Sequence, residues 1–151
     1  MRRLTALLCT LWILFVALPS SAADNARPER QERFGDLTVH YNAFASSFLQ
    51  PSIAQEVGVI RSKNQGVLNI AAIKDGKTVT ANVTGSVKDL TGRSKPLSFR
   101  QSNIGGSVNY LAQFAVEPGS SSFYTFTINV KAGDGDAHAF SFNQEIFSDE
   151  E

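Results

Sequence analysis

Two histidines and one stretch of basic and amide side chains are the residues here best equipped for chemistry. His40 and His138 are the only imidazoles in the chain, so they alone have an ordinary pKa suited to proton transfer near neutrality. Either could serve a hydrolase or lyase as base. No Gly-x-Ser-x-Gly elbow and no Ser-x-x-Lys pair accompanies them, although a triad assembled in space stays open because geometry defines it. Arg61-Ser62-Lys63-Asn64-Gln65 is the second candidate. Arg61 offers a planar fork for a carboxylate or phosphate, with Lys63 a point charge beside it. Phe44, Phe48 and Leu49 precede it as large apolar groups, which suggests an apolar floor with a basic lip. The alternative is that the phenylalanines plug one end of the fold and the polar run is a solvated loop.

Other chemistries find little material. The only Cys, Trp and Met are Cys9, Trp12 and Met1, all inside an N-terminal leader, so the mature chain has no thiol nucleophile, disulfide or sulfur ligand. His40 shares the outward parity of Thr38 and Asn42, whereas His138 leads the inward run of Phe140 and Phe142. Two histidines on opposite faces do not make a zinc or copper site, and no metal or cofactor is expected. Asp134-Gly135-Asp136 has the look of half a calcium loop, but the remaining ligands are absent and a hairpin tip accounts for it. Gly133-Asp134-Gly135 fails the spacing of a phosphate loop. Asp36, Asp75, Asp89 and Glu117 fall at strand ends or turns, where turn punctuation explains them without a glycosidase pair.

The leader itself is legible. Met1-Arg2-Arg3 is a basic start, residues 4–18 are almost wholly apolar, and Pro19-Ser20-Ser21-Ala22-Ala23 carries the small residues of a cleavage site. This reads as a signal peptide over residues 1–23, cut after Ala23, with no membrane span left in the mature chain. Leu8 before Cys9 argues against a lipid anchor. With 14 basic and 14 acidic side chains in the whole chain, no single-sign field is available to recruit nucleic acid. Residues 24–33 are charged and read as a flexible lead, residues 34–147 as one domain, and residues 148–151 as an acidic tail.

The elements that must position the candidate residues follow a period of two. Residues 78–88 alternate Val79, Ala81, Val83, Gly85 and Val87 with polar positions, the pattern of a half-buried antiparallel strand. Asp75-Gly76 turns it against residues 66–74, with Leu68, Ile70 and Ala72 inward. The same logic yields strands over 34–44 (Leu37, Val39 and Tyr41 inward), 97–101, 107–116, 123–131 and 139–147. About seven short antiparallel strands without βαβ alternation predict an immunoglobulin-like two-sheet sandwich, with a small closed barrel as competitor. The connection from Phe44 to Gln65 is far longer than a hairpin needs. Within it, Pro51 to Val57 followed by Gly58 predicts a short helix with Pro at its start and Gly at its stop.

Phe34-Gly35, Val39-His40-Tyr41, Ala43-Phe44, Phe48-Leu49-Gln50-Pro51, Arg61-Ser62-Lys63, Gly66 and Asn69-Ile70 together resemble a family of short secreted proteins of Gram-negative bacteria. It is the domain-of-unknown-function family 4426. The resemblance runs from about Phe34 to Phe147 and is sharpest up to Ile70. It implies a periplasmic location and one compact domain, and it brings no activity, substrate or catalytic residue to transfer. The sequence therefore predicts a secreted, non-catalytic binding or interaction module. Its expected surface is Phe48, Arg61, Ser62, Lys63 and Asn64, with His40 and Tyr41 on the neighbouring strand. The expected partner is an envelope protein or a small anionic ligand. An envelope enzyme with a histidine base, or an assembly chaperone lending a strand edge, are the alternatives, and the sequence does not show which strands are edges or what oligomer forms.

Overall fold

The computed structural model describes residues 30–119 and 121–148. The leader, its cleavage site, residues 24–29 of the lead and residues 149–151 of the tail lie outside them. Ten antiparallel strands form two sheets. The first sheet has six: β1 (Gln31–Phe34), β2 (Leu37–Ala45), β3 (Gln65–Lys74), β8 (Ser107–Ala115) and β7 (Arg100–Ile104) in that order, with β4 (Lys77–Val79) also on β3. The second runs β10 (Ala137–Ile146), β9 (Ser122–Ala132), β5 (Ala81–Lys88) and β6 (Ser94–Leu97). The expected two-sheet sandwich is what forms, with two separate sheets in place of a closed barrel.

Period-two alternation placed the inward side chains correctly. Val39, Leu68, Ile70, Phe126, Ile128 and Val130 are fully buried between the sheets, with Phe114, Tyr110, Tyr124 and Phe140 nearly so. Alternation did not reveal where the chain changes sheets. The expected strand over 78–88 is two strands: β4 pairs with β3 as far as Val79↔Ala72, and β5 begins at Ala81↔Ala132 in the other sheet. Both sheets share one interior, so Val79 and Ala81 point inward on either side of the crossing and the pattern continues unbroken. Tyr110 marks this corner, its hydroxyl accepting the Ala81 N–H at 2.7 Å. The strand expected over 97–101 divides in the same way, into β6 and β7 on opposite sheets. The one expected over 34–44 is a hairpin, folded at Gly35-Asp36 with Phe34 opposite Leu37. Its first arm takes in Gln31 to Arg33, at the end of the stretch read as the lead.

The long connection is a third layer. After β2 it makes a 3-10 turn (Ser46–Phe48) and then α1 (Pro51–Val57). Pro51 starts α1, and Gly58 ends it at φ 67°, a left-handed conformation that favours glycine. Val57 and Val59 bury against Val67 of β3 and Leu111 of β8, with Phe44, Leu49, Ile53 and Ile104 around them. These strand residues lie on the outer face of the six-stranded sheet. β3 is consequently buried on both faces, which explains its nearly continuous apolar run. Arg100 of β7 clamps the layer, its guanidinium donating to the carbonyls of Gly58 (2.6 Å) and Val57 (3.4 Å) at the C-terminus of α1.

Candidate functional site

The expected surface on the connection is spent largely on holding the connection in place. Ser46 is fully buried, and its hydroxyl both accepts the Ser62 N–H (2.9 Å) and donates to the Ser62 carbonyl (3.0 Å). Arg61 donates through Nη2 to the Ser47 carbonyl at 2.9 Å. The Ser62 hydroxyl accepts the Asn64 N–H (3.1 Å), and Gln113 donates to the Ile60 carbonyl (3.3 Å). Arg61 and Ser62 thus stitch the end of the connection to its beginning. Phe48 stands out from it, 57% exposed, as does Ile60. The apolar floor expected beneath Phe44 and Leu49 is occupied by the connection's own valines.

β2 sends His40 and Tyr41 to opposite faces. His40 is exposed on the outer side, whereas Tyr41 stacks on Phe142 between the sheets, ring centroids 4.1 Å apart. Burial, followed by the nearby Glu32 carboxylate, raises the Tyr41 pKa above its ordinary value, against a smaller lowering by Arg30. His138 lies flat against Phe34 at 4.5 Å, on β10 and away from His40. Among the described residues no three His, Cys, Asp or Glu side chains cluster so as to hold a metal ion.

The structure opens a cleft of about 580 Å³ elsewhere, at the end of the sandwich where β5 runs out, β9 begins and β8 leaves its sheet. Val87, Leu97, Phe114, Val116 and Tyr124 form its floor; Asn64, Gln65, Asp89, Arg93, Lys95 and Glu117 form its rim. Leu90, 74% exposed, stands at the mouth. The rim is built by local chemistry. Asp89 organises the β5–β6 turn, accepting from the Thr91 hydroxyl (2.5 Å), the Thr91 and Arg93 N–H groups (2.9 and 3.0 Å) and Arg93 Nε (3.2 Å). The Thr91 hydroxyl bond is the main reason the Asp89 pKa falls below its ordinary value, with the two backbone N–H groups and the Arg93 charge adding to it against a desolvation that raises it. Across the cleft the Tyr124 hydroxyl accepts the Glu117 N–H at 3.1 Å, and the Asn64 carbonyl accepts the Val116 N–H at 2.9 Å.

Of the seven residues expected to form the binding surface, Asn64 alone lines this cleft, joined by Gln65 from the end of the same polar stretch. Asp89 and Glu117 were legible only as turn and strand-end residues, and Lys95 had no reading in the sequence. The available signal was that charged residues follow the inward Val87 and Val116 at strand ends. Bringing those ends together required the strand pairing.

The family model for the domain of unknown function DUF4426 matches residues 31–149. No curated protein matches the chain. Among solved structures, a DUF4426 family protein from Pseudomonas aeruginosa PAO1 is 52% identical, with a TM-score of 0.72 over 81% of this chain and 97% of that one. A copper-bound variant of FetP from uropathogenic Escherichia coli strain F11 is 10% identical, with a TM-score of 0.55 over 78% of this chain and 94% of its own, a likeness of fold alone. The family-model match over most of the chain and the 52% identity to a member of known structure place this chain in the DUF4426 family, whose function is unknown.

Proposed function

We propose that this protein is a non-catalytic binding module of the periplasm, exported by its leader, and that it binds in the cleft at the end of the sandwich. The observation that carries this is the contrast within one cavity, an apolar floor of inward strand residues ringed by Arg93, Lys95, Asn64 and Gln65. A cavity of this size and lining suits a ligand or partner segment with an apolar body and an anionic group. Asp89 and Glu117 both line the cavity, yet Asp89 spends its oxygens on the turn and is held ionised. That favours binding over acid–base catalysis. The copper of FetP belongs to that protein, and no metal or cofactor enters this reading.

Photo-crosslinking in intact cells tests it, with probes at Leu90 and Asn64 in the cleft and a control at Lys77 in the β3–β4 hairpin. The expected result is an adduct at Leu90 and Asn64, absent at Lys77, and lost from Leu90 in Lys95→Glu with an unchanged Tm. Mass spectrometry of the adduct then separates a partner protein from a small ligand. An equal yield at Lys77, no adduct at either cleft probe, or an adduct indifferent to Lys95→Glu would overturn the cleft as the site.

A further inference from the structure

The four edges of the sandwich are protected very unequally. A sheet edge offers unpaired N–H and C=O groups to any extended chain, and proteins normally shorten or charge their edges, or place proline there. β6 has four residues including Lys95 and Pro96; β1 has four, with Glu32 and Arg33; β7 has five and begins at Arg100, which is tied to α1. β10 is different. It runs for ten residues in an unbroken ladder with β9, from Ala137↔Lys131 to Ile146↔Ser122, and among the described residues it pairs with no other strand. It holds no Pro, Lys or Arg, and Glu145 is its one acidic residue. Its exposed outer positions are the small, uncharged Ala137, Ala139, Ser141 and Asn143.

We infer that β10 is a self-association edge, pairing antiparallel with β10 of a second copy about a two-fold axis. The two four-stranded sheets then become one continuous eight-stranded sheet. The sequence of β10 is self-complementary in the register centred on Ser141. Phe140 faces Phe142 of the other copy on the inner side, Ala139 faces Asn143, His138 faces Gln144, and Glu145 faces Ala137, so no like charges oppose. The inner pairs extend an aromatic row that already reaches this edge, where Phe34, Tyr41, Phe140 and Phe142 lie with neighbouring ring centroids 4.1 to 6.1 Å apart. Backbone pairing supplies the affinity and the aromatic pairs fix the register. This surface is separate from the cleft, so either can fail without the other.

Sedimentation velocity over a concentration series decides it, using the purified protein, Ser141→Lys and Thr84→Lys. Ser141→Lys sets two lysines against each other across the axis; Thr84→Lys puts the same charge on the same face two strands inward, on β5. The expected result is a dimer whose Kd rises by about fivefold or more in Ser141→Lys and is unchanged in Thr84→Lys. A protein that stays monomeric throughout, or a dimer weakened equally by both changes, would refute edge pairing. Should Ser141→Lys fail to fold, hydrogen exchange of the unmodified protein decides. Protection of β10 amides that rises with concentration supports the pairing, and protection independent of concentration removes it.

Discussion

Gly66 shows at the residue scale how a position that looks permissive is tightly constrained. It opens the body of β3 opposite Phe114, and a Cβ built there would lie 2.3 Å from Phe114 Cζ. That ring has little room to yield, being packed edge-on to Phe126 at 5.1 Å and tilted against Tyr124 at 5.6 Å. Gly66→Ala should therefore destabilise the protein by about 1–3 kcal/mol, an overpacking cost, read as a lower urea midpoint at unchanged slope. Tyr110 and Tyr124 show the complementary case of aromatic bodies buried in the core with hydroxyls that satisfy backbone N–H groups at chain crossings and strand ends. Sequence parity identified both as inward. It could not identify Ala81 and Glu117 as their partners, because those contacts span 29 and 7 residues.

The element that organises the molecule is the connection between β2 and β3. Its helix is short, so its stability comes from packing and its ends more than from propensity. Val57 and Val59 supply the packing, and Arg100 supplies a cation at the C-terminal carbonyls from a strand 42 residues away from Gly58. Arg100→Ala should loosen α1 locally, costing about 0.5–1 kcal/mol. Hydrogen exchange should accelerate at the N–H groups of Ala54, Gly58 and Val59 while β9 stays protected. Uniform acceleration throughout the sheets would show instead that the connection is part of the global folding unit. The helix was readable from its Pro and Gly, whereas its role as a cover was not. A polar run such as Arg61 to Asn64 looks the same in sequence whether it faces a ligand or bonds back onto its own loop.

At the scale of the whole molecule, the open side between β2 and β10 is closed by aromatic stacking, and Tyr41 sits within it. Burial there holds the proton on the Tyr41 hydroxyl, so its folded-state pKa lies above the ordinary 10.0. Between those two values the folded chain binds more protons than the unfolded one. The stabilisation is complete below about pH 10 and is lost as pH rises through the raised value. Urea midpoints measured across this alkaline range should fall for the natural chain and fall less steeply for Tyr41→Phe. A parallel decline in both would mean that Tyr41 is not the group responsible.

By itself the sequence determined what local periodicity and backbone chemistry can encode. Alternation in Leu68–Ile70–Ala72 and Phe126–Ile128–Val130 specified inward faces, Asp75-Gly76 specified a hairpin, and Pro51 with Gly58 bounded a helix. Strands of this kind with no βαβ alternation suffice for a two-layer β fold. Only the tertiary structure decided that the chain changes sheets at Thr80 and again between β6 and β7, since a shared interior makes the crossing invisible to a period of two. It alone decided that Asn64 meets Arg93, Lys95 and Tyr124 at one cleft and that β10 is a long edge. Clefts and edges are properties of which strands become neighbours. Neighbours are selected by burial of the whole apolar surface at once, a sum over the chain that no local segment contains.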